Sequence, residues 1–464
     1  MMRFSFSITP LLYSLSLSIL LFSCKDSNEI VPGEPASLGK RYKVSFENLQ
    51  PGGGYTALQL YSGASSVSSD AATWFATQSG YYSLGYTITE NNIVKIDSTG
   101  KIVFSGLLPI MKEHFGQNIA ATADGGCYLH IEKNNKKLSV IRLGSKGDIL
   151  WSKDIDILDE KSYGFTIDEM ATENNGGVVA IGSIFGEGYI SPFVIKLDDR
   201  GNTEWANIVP VALTLNSIFL DIATSKNSNK NNIYLLMQKN TSNCILYCLG
   251  PDGAEKWSKD LVFPINVTDY GQLKNSLHVL ANGNIVVNTY NAKARQLVTF
   301  SEIGEVLTAK EYNQPNPGGL FGEIAFNRKN EGAFTLQKGT IMYSYWISSS
   351  GEIENGRLLY NHANVNHINA FGCAAASDDF GFVLGEFSNE SEVNREASNL
   401  SFYKFDREGK INCSVDDAPM LEEKEISISV TNLDKIPMNI FALSNVEGSI
   451  SIQKSNVISV ASCQ

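Results

Sequence analysis

The chain has 464 residues, a formal net charge of −12 and 43% apolar residues. This length and apolar content are ample to bury a large core. The acidic balance, with no cluster of lysines or arginines, argues against a nucleic-acid or anionic-lipid surface.

Residues 1–23 are predicted to be a lipoprotein signal peptide. Arg3 supplies the positive start, and the apolar run at 11–22 is too short for a membrane span. Cys24 follows directly and resembles the lipobox cysteine of bacterial lipoproteins, although Phe22 departs from the small residue commonest there. The resemblance implies acylation of Cys24 and, because Lys25 replaces the retaining aspartate, an outer-membrane location. The alternative is an ordinary secreted signal peptide with a chance cysteine.

The next stretch, 24–40, contains prolines, glycines and few apolar residues, which predicts a flexible tether. Residues 41–67 then bring two predicted strands, YKVSFENL and YTALQLYS, separated by a PGGG turn. They precede the part of the chain that repeats.

The repeat is a β-hairpin, seen most clearly in FVIKLDDRGNTEW at 193–205. Apolar β-formers lead to a turn of Asp and Gly, which tolerate the positive φ that a tight turn requires. Seven copies place a turn glycine four residues before the closing residue: Gly100, Gly147, Gly201, Gly253, Gly304, Gly351 and Gly409. The period near 50 residues is typical of propeller blades.

A second hairpin turn precedes each copy. It is predicted at Gly80, Gly126, Gly177, Asn232, Gly283, Gly332 and Gly381. Each unit therefore contains four strands, A to D, and units are expected at about 68–112, 116–160, 164–212, 216–264, 272–314, 321–362 and 368–416. The predicted fold is all-β: a seven-bladed β-propeller over 41–416, made of four-stranded antiparallel blades.

The tail, 417–464, alternates polar and apolar residues but lacks the repeat. It is predicted to be a C-terminal β extension. It can form a small separate sheet, or join the 41–67 strands in an eighth blade; we favour seven blades with a packed tail.

Aromatic residues close several hairpins: Phe104, Trp151, Trp205 and Trp257. Stacking on a sugar ligand is one interpretation. The favoured one is structural, because a large residue at a fixed repeat position packs between neighbouring blades.

Cysteines and histidines give few chemical signals. Cys127, Cys244, Cys248 and Cys373 fall in or beside strands and are predicted to be core residues, with the second and third too far apart to bridge. A disulfide between Cys413 and Cys463 is an open alternative to two free thiols. The pair His362 and His367 lacks the usual metal spacing.

The acidic run Asp154, Asp156, Asp159 and Glu160 also lacks the calcium-loop spacing, so a solvated strand edge is favoured over Ca²⁺. No motif for a nucleophile, a zinc protease or a phosphate loop is present. No cofactor is predicted.

Long, varied connections are expected on one face of the propeller, opposite the uniform tight turns. Recognition usually lies on such loops, because they vary without disturbing the core. The predicted contact residues are Tyr163, Tyr270, Phe321, His362 and His367. The alternative is that these loops are solvent-exposed spacers.

The hairpins ending in LD-x-x-G-x-x-x-W resemble blades of the PQQ-like (quinoprotein-type) β-propeller superfamily, and the DGG and NGG turns resemble those of Gram-negative lipoprotein propellers. Quinone-dependent members carry a vicinal disulfide, which requires adjacent cysteines that this chain lacks, so PQQ is not expected. The resemblance implies a monomeric, lipid-anchored binding or scaffold module in the cell envelope that takes a protein or glycan. The alternative is a glycoside hydrolase or polysaccharide lyase.

Overall fold

The computed structural model describes 25 stretches of the chain. These are 42–47, 57–59, 65–67, 73–83, 86–97, 101–108, 119–134, 136–157, 162–209, 218–225, 231–239, 243–263, 277–290, 293–314, 318–327, 329–339, 341–361, 367–375, 382–389, 398–405, 418–433, 439–440, 443–447, 453–454 and 458–461. Within them the regular structure is entirely β, with no helix. The same residues accordingly provide no helix able to cross a membrane.

The described strands form seven antiparallel sheets, numbered I to VII in chain order. The first strand, β1, is Tyr42–Glu47. Sheet I contains β2 (Ala57–Gln59), β3 (Ser65–Val67), β4 (Thr73–Ser83), β5 (Tyr86–Ile96) and β6 (Ile102–Leu108). Sheet II contains β7 (Ile119–Ala121), β8 (Cys127–Asn134), β9 (Lys137–Leu143) and β10 (Ile149–Ile157), and sheet III contains β11 (Ser162–Thr172), β12 (Val178–Gly186), β13 (Tyr189–Leu197) and β14 (Thr203–Ile208).

The later sheets repeat the same order of four strands. Sheet IV contains β15 (Ile218–Thr224), β16 (Ile233–Gln238), β17 (Asn243–Leu249) and β18 (Glu255–Val262), and sheet V contains β19 (Leu277–Val279), β20 (Ile285–Tyr290), β21 (Ala294–Phe300) and β22 (Val306–Asn313). Sheet VI contains β23 (Leu320–Phe326), β24 (Gly332–Lys338), β25 (Ile341–Ile347) and β26 (Ile353–Asn361), and sheet VII contains β27 (His367–Ala375), β28 (Phe382–Asn389) and β29 (Ser398–Phe405). The predicted four-stranded antiparallel unit is confirmed.

Sheet VII takes its fourth strand from the beginning of the chain. β1 pairs antiparallel with β29, with Tyr42 opposite Lys404 and Phe46 opposite Leu400. The repeat predicts the strand ending at Cys413 in that position, and this strand lies outside the described residues. The outer edge of β29 offers unpaired backbone groups, and the β-forming segment YKVSFE satisfies them.

The tight turns within the sheets follow the predicted glycine pattern with two corrections. The C–D turn glycines Gly147, Gly201, Gly253, Gly304 and Gly351 all have φ near +80°. In the A–B turns of sheets II to IV, the left-handed residue is one position earlier than expected, at Gly125, Gly176 and Asn231. In sheet V it is Gly283, as predicted, and in sheet VI it is Asn330, two positions before Gly332. Gly80 lies inside β4, opposite Thr89, because flanking β-formers continue the strand through it; strand A of sheet I is instead β2 and β3.

Consecutive sheets pack face to face, and the core lies between them. The innermost strands of sheets I to V contact each other in chain order, and β27 of sheet VII contacts both β23 of sheet VI and β3 of sheet I. The buried clusters lie between neighbouring sheets; one of them joins Leu236 of sheet IV to Val287 of sheet V. Cys127, Cys244 and Cys248 are buried free thiols in these layers, as predicted. The arrangement is propeller-like.

The C-terminal strands lie on the outer edges of the sheets, and we call residues 418–461 the belt. Its strands are β30 (Glu422–Glu425), β31 (Ser429–Asn432), β32 (Asn439–Ile440), β33 (Leu443–Glu447), β34 (Gln453–Lys454) and β35 (Ile458–Ala461). They pair antiparallel, in that order, with the outermost strands of sheets V, IV, III, II, I and VII. Before them, the Ala418 amide donates to the Gly356 carbonyl of sheet VI at 3.0 Å.

The belt therefore passes seven sheet edges in the reverse of chain order. It forms neither a separate sheet nor an eighth sheet with 41–67, and its strands pack along the edges of the other sheets, as expected for a packed tail. The physical reason is that each sheet edge is a ready pairing partner for an alternating polar and apolar segment. The apolar side chains of Ile426, Ile428 and Val430 pack against the core between sheets IV and V.

Candidate functional site

An aromatic ring from one sheet packs against the C–D turn glycine of the next. A methyl group on Gly201 would lie 2.8 Å from Cζ3 of Trp151, and one on Gly253 would lie 2.9 Å from Cδ2 of Trp205. The same pairing joins Trp257 to Gly304 and Phe104 to Gly147. The prediction that these residues pack between neighbouring sheets is confirmed. Glycine is required at the turn both by φ and by the ring.

Each indole also donates a hydrogen bond across the interface. The acceptor is always the backbone carbonyl of the second turn residue, two positions before the glycine: Trp151 to Asp199 at 2.8 Å, Trp205 to Pro251 at 2.9 Å and Trp257 to Glu302 at 3.2 Å. The three indoles thus hold sheets II to III, III to IV and IV to V together through one repeated contact.

A lysine supplies a donor at two of these turns. Phe104 has no N–H, and at the I–II interface Lys95 Nζ donates to the Ser145 carbonyl at 3.0 Å instead. At the III–IV interface Lys196 Nζ donates to Pro251, the same carbonyl that the indole uses, at 3.2 Å. The carbonyl of the second turn residue therefore accepts a hydrogen bond from a side chain on strand C or strand D of the preceding sheet.

The V–VI interface lacks both donors. Thr308 stands in the tryptophan position of β22, and Thr299 stands in the lysine position of β21. The equivalent acceptor is the Ser349 carbonyl, and no hydrogen bond to it from a side chain of sheet V occurs among the residues described. A methyl group on Gly351 would meet no ring, only Lys310 Cδ at 3.3 Å and Tyr312 Oη at 3.4 Å.

A shallow cleft opens at this interface, with an enclosed volume of about 20 Å³. Its floor is apolar and its rim carries hydroxyl groups. The lining residues are Leu280, Val286, Leu297, Thr299, Thr308, Lys310, Tyr312, Phe326, Asn330, Ile347, Ser348, Ser349 and Gly351. We call it the V–VI cleft.

Charged groups near the V–VI cleft are fixed by their partners. Lys310 Nζ lies 2.6 Å from the Glu423 carboxylate of the belt, and Glu423 also accepts from the Ile353 amide at 3.2 Å. Tyr312 Oη donates to the Gly351 carbonyl. Burial raises the pKa of Tyr312 well above its ordinary value, so this phenol is a neutral donor.

Sheet V exposes three apolar side chains in and after its C–D turn: Ile303, Val306 and Leu307. Leu307 is 49% exposed and directly precedes Thr308. The equivalent residue of sheet II, Leu150, is 53% exposed but lies beside a closed interface. Exposed apolar side chains grouped on one sheet are typical of a contact surface.

The predicted contact residues do not assemble into one site among the described residues. Tyr163 is 52% exposed near the start of β11. Phe321 is 3% exposed, because β23 begins at Leu320 and directs this ring into the core beside Phe334 and the Arg295 guanidinium. It is therefore a core residue and not a loop contact. His367 begins β27, and Tyr270 and His362 lie outside the described residues, as do Cys24, Cys413 and Cys463.

Two buried carboxylates occupy equivalent positions in inner strands. Glu169 of β11 and Asp221 of β15 each follow a β-bulge. The Asp221 carboxylate accepts backbone N–H groups from Ile222 at 2.7 Å and from Leu277 of the next sheet at 2.8 Å. These bonds tie neighbouring inner strands together.

Asp154, in the acidic run on β10, is held by side chains of neighbouring strands. Asp154 is buried, accepts a hydrogen bond from Ser139, and lies 2.6 Å from Lys133 Nζ and 3.3 Å from Lys137 Nζ. Burial alone raises the pKa of Asp154, but these bonds outweigh it and lower the pKa below its ordinary value. Across the described residues, no group of three or more His, Cys, Asp or Glu side chains is placed to hold a metal ion.

Sequence reasoning missed the V–VI cleft, although its signal was visible. Aligning the hairpins puts Thr308 where Phe104, Trp151, Trp205 and Trp257 stand. The substitution indicates a missing ring, and the packing of sheets V and VI shows that Tyr312 reaches Gly351 only with its hydroxyl group.

No model of a known protein family matches the chain, and no curated protein does. Solved structures similar to it include a puromycin hydrolase (TM-score 0.45, 10% identity, 73% of this chain and 53% of that one) and a prolyl endopeptidase (0.41, 11%, 73% and 48%). The dihydro-heme d1 dehydrogenase NirN matches with a TM-score of 0.39 and 12% identity, covering 82% of this chain and 79% of that one. The chain spans about half the length of the first two, and these values transfer no activity.

Proposed function

We propose that this protein is a seven-bladed β-propeller of the PQQ-like type, acting as a monomeric, non-catalytic binding or scaffold module. Seven sheets of the same strand order support the blade count. Contacts of β27 with both β23 and β3 support closure of the ring between the last sheet and the first. Tryptophan-closed hairpins support the superfamily.

We also propose that Cys24 carries a lipid and that the protein is held at the outer membrane, outside the cytoplasm. Residues 24–40 then act as the tether between the lipid and β1. In a Cys24→Ala variant the protein should leave the membrane fraction or retain its signal peptide. Unchanged membrane association would contradict the anchor.

The binding surface in this proposal is the V–VI cleft together with the adjoining Leu307. The observation that carries it is that the V–VI interface lacks the ring present at the I–II to IV–V interfaces, while the exposed Leu307 directly precedes the cleft residue Thr308. An exposed apolar residue beside a cleft favours a protein partner over a glycan, because protein contact surfaces concentrate apolar and aromatic side chains at their centre.

A carbohydrate-active enzyme is the second candidate, favoured by the equivalent positions of Glu169 and Asp221 in inner strands. The backbone bonds to Asp221 support a structural role instead. Glu169→Gln should leave glycan release from envelope polysaccharide at the wild-type level. Loss of such release in this variant would favour the enzyme.

Site-specific photocrosslinking tests the docking surface. A photoreactive phenylalanine analogue at position 307 of the full chain, expressed in its own cell envelope, should form a discrete adduct with a protein. The same analogue at position 150 is the matched control, since Leu150 has the same repeat position and a similar exposure. We expect an adduct at 307 and none at 150.

Equal adducts at both positions, or adducts with glycan alone, would overturn the proposed docking surface. A Thr308→Trp variant sharpens the result, because a ring in the V–VI cleft should suppress the adduct at 307 without affecting folding.

A further inference from the structure

The V–VI cleft has a defined shape because its equivalents are occupied elsewhere in the molecule. At the II–III, III–IV and IV–V interfaces the occupant is an indole lying against the turn glycine, with its N–H directed at the second turn carbonyl. These indoles are half-buried, so a shallow cleft is sufficient to hold them. The molecule thus contains three templates for what fits between sheets V and VI.

The parts of the site other than the ring are retained at the V–VI interface. Gly351 has φ +85°, as the glycine beside an indole requires. The Lys310 stem lies against it as the Lys153 stem lies against Gly201 and the Lys259 stem against Gly304. Only the ring and the donor to the Ser349 carbonyl are missing from sheet V.

From these observations we propose that the V–VI cleft binds a tryptophan side chain presented by a partner protein. The indole lies against Gly351 over the apolar floor of Val286 and Leu297, and its N–H donates to the Ser349 carbonyl. The inference rests on the proposed function, in which this cleft is the docking surface.

The Ser349 carbonyl needs a hydrogen-bond donor, and this need decides which aromatic residue fits the V–VI cleft. A phenylalanine ring would fill the space but leave the carbonyl without a donor. At the I–II interface, where the ring is Phe104, Lys95 supplies the hydrogen bond. Thr299 in the lysine position cannot reach across as a lysine does, so the N–H must come with the incoming ring.

The contact also suits an anchor residue of a protein interface. Tryptophan is enriched among residues that dominate binding, since it buries a large rigid surface and offers one polar group. The exposed Leu307 directly precedes the cleft residue Thr308, so a residue flanking that tryptophan would make an apolar contact there.

Titration of the full-length mature protein with N-acetyl-L-tryptophanamide, followed by ligand-observed NMR, tests the inference. We expect saturable binding of one molecule per chain at millimolar concentration. N-acetyl-L-phenylalaninamide should bind at least about tenfold more weakly, since it lacks the donor.

Two variants locate the site. Thr308→Trp should abolish saturable binding by filling the cleft, and Leu150→Trp, on a closed interface, should leave binding unchanged. Trp257→Thr should open a second cleft and raise the stoichiometry to two; if this variant does not fold, the Thr308→Trp and Leu150→Trp pair decides the question.

Absence of saturable binding, equal binding of the phenylalanine amide, or binding unaffected by Thr308→Trp would overturn the inference. These outcomes are separate from failure of the proposed function. Adducts at position 307 without indole binding would leave the docking surface standing with a different anchor residue. Indole binding without a protein adduct would overturn the docking surface and assign the cleft to a free aromatic compound.

Discussion

The III–IV and V–VI interfaces are built from the same repeat but are closed differently. At III–IV, Trp205 and Lys196 both donate to the Pro251 carbonyl, and the ring lies against Gly253. At V–VI, threonines stand in both positions, and the belt residue Glu423 bridges the two outer strands instead. The comparison teaches that the sheets remain joined without the ring, so one interface can present a cleft.

The largest difference in stability between the III–IV and V–VI interfaces should come from adding one methyl group to the turn glycine. Gly253→Ala forces φ +77° on a residue with a side chain and places Cβ 2.7 Å from Asn207 Nδ2 and 2.9 Å from the Trp205 ring. We expect a loss of about 3–4 kcal/mol in the free energy of unfolding, measured by urea denaturation.

Gly351→Ala is the matched control, with the same backbone strain and no ring in the way. It should cost about 1–2 kcal/mol. Equal losses in the two variants would show that the ring does not distinguish the interfaces.

Removing the ring from the closed interface should have the next largest effect. Trp205→Thr loses the packing and the indole hydrogen bond, while Lys196 still donates to Pro251. Because the ring is half-exposed, we expect about 2–3 kcal/mol, below the ~3–5 kcal/mol typical of a fully buried ring. Thermal and urea unfolding measure this loss in the free energy of unfolding. Thr308→Val is the control, and its unfolding free energy should change by less than about 0.5 kcal/mol.

Adding a ring to the open interface should stabilise the protein. Thr308→Trp buries apolar surface against Gly351 and Val286 and supplies a donor to Ser349. We expect a gain of about 1–2 kcal/mol and a higher melting temperature. A loss of stability would mean that the cleft cannot hold an indole in the geometry seen at Trp205.

The smallest expected effect is on the pH dependence of stability, and it compares the belt contact of sheet V with that of sheet IV. Burial alone raises the pKa of Glu311, but hydrogen bonds from Lys424 of the belt and from Gln296 lower it below 4.5. This contribution is present above about pH 4.5 and is lost as pH falls through the lowered folded pKa. On sheet IV the belt contact of Lys259 is to the neutral Asn432.

Glu311→Gln should therefore reduce the difference in urea midpoint between pH 7 and about pH 3.5 by the equivalent of about 1 kcal/mol or less. Asn432→Ala should leave that difference unchanged. An unaltered acid sensitivity in Glu311→Gln would exclude this carboxylate as a source.

The strands of the sheets could be predicted from the repeat, because each hairpin contains the same local pattern of residues. Turn glycines such as Gly201 must adopt positive φ, and the tryptophan follows at fixed spacing. The prediction of a turn at Gly80 was wrong because glycine alone does not end a strand when β-formers flank it on both sides.

Partners distant in sequence were not predictable. The alternation in the tail indicates strands, but each tail strand pairs with the edge of a different sheet, as β31 does with β18. The segment at 42–47 likewise gives no sign that its partner is β29. Phe321 was misassigned as a loop contact because the start of β23 could not be located from a glycine- and proline-rich stretch.

The placing of β1 between β29 and β35 has a consequence for the order of folding. Val44 lies opposite Phe402 on one side and Ala461 on the other, so the first and the last of the described strands lie in one sheet. These pairings join residues that are among the most distant in sequence, and such high contact order slows folding. Each of sheets I to VI takes its inner strands from one segment of the chain, whereas sheet VII is not complete until β1 has paired with β29. Pairing of β1 with β29 is therefore expected to be a late step of folding.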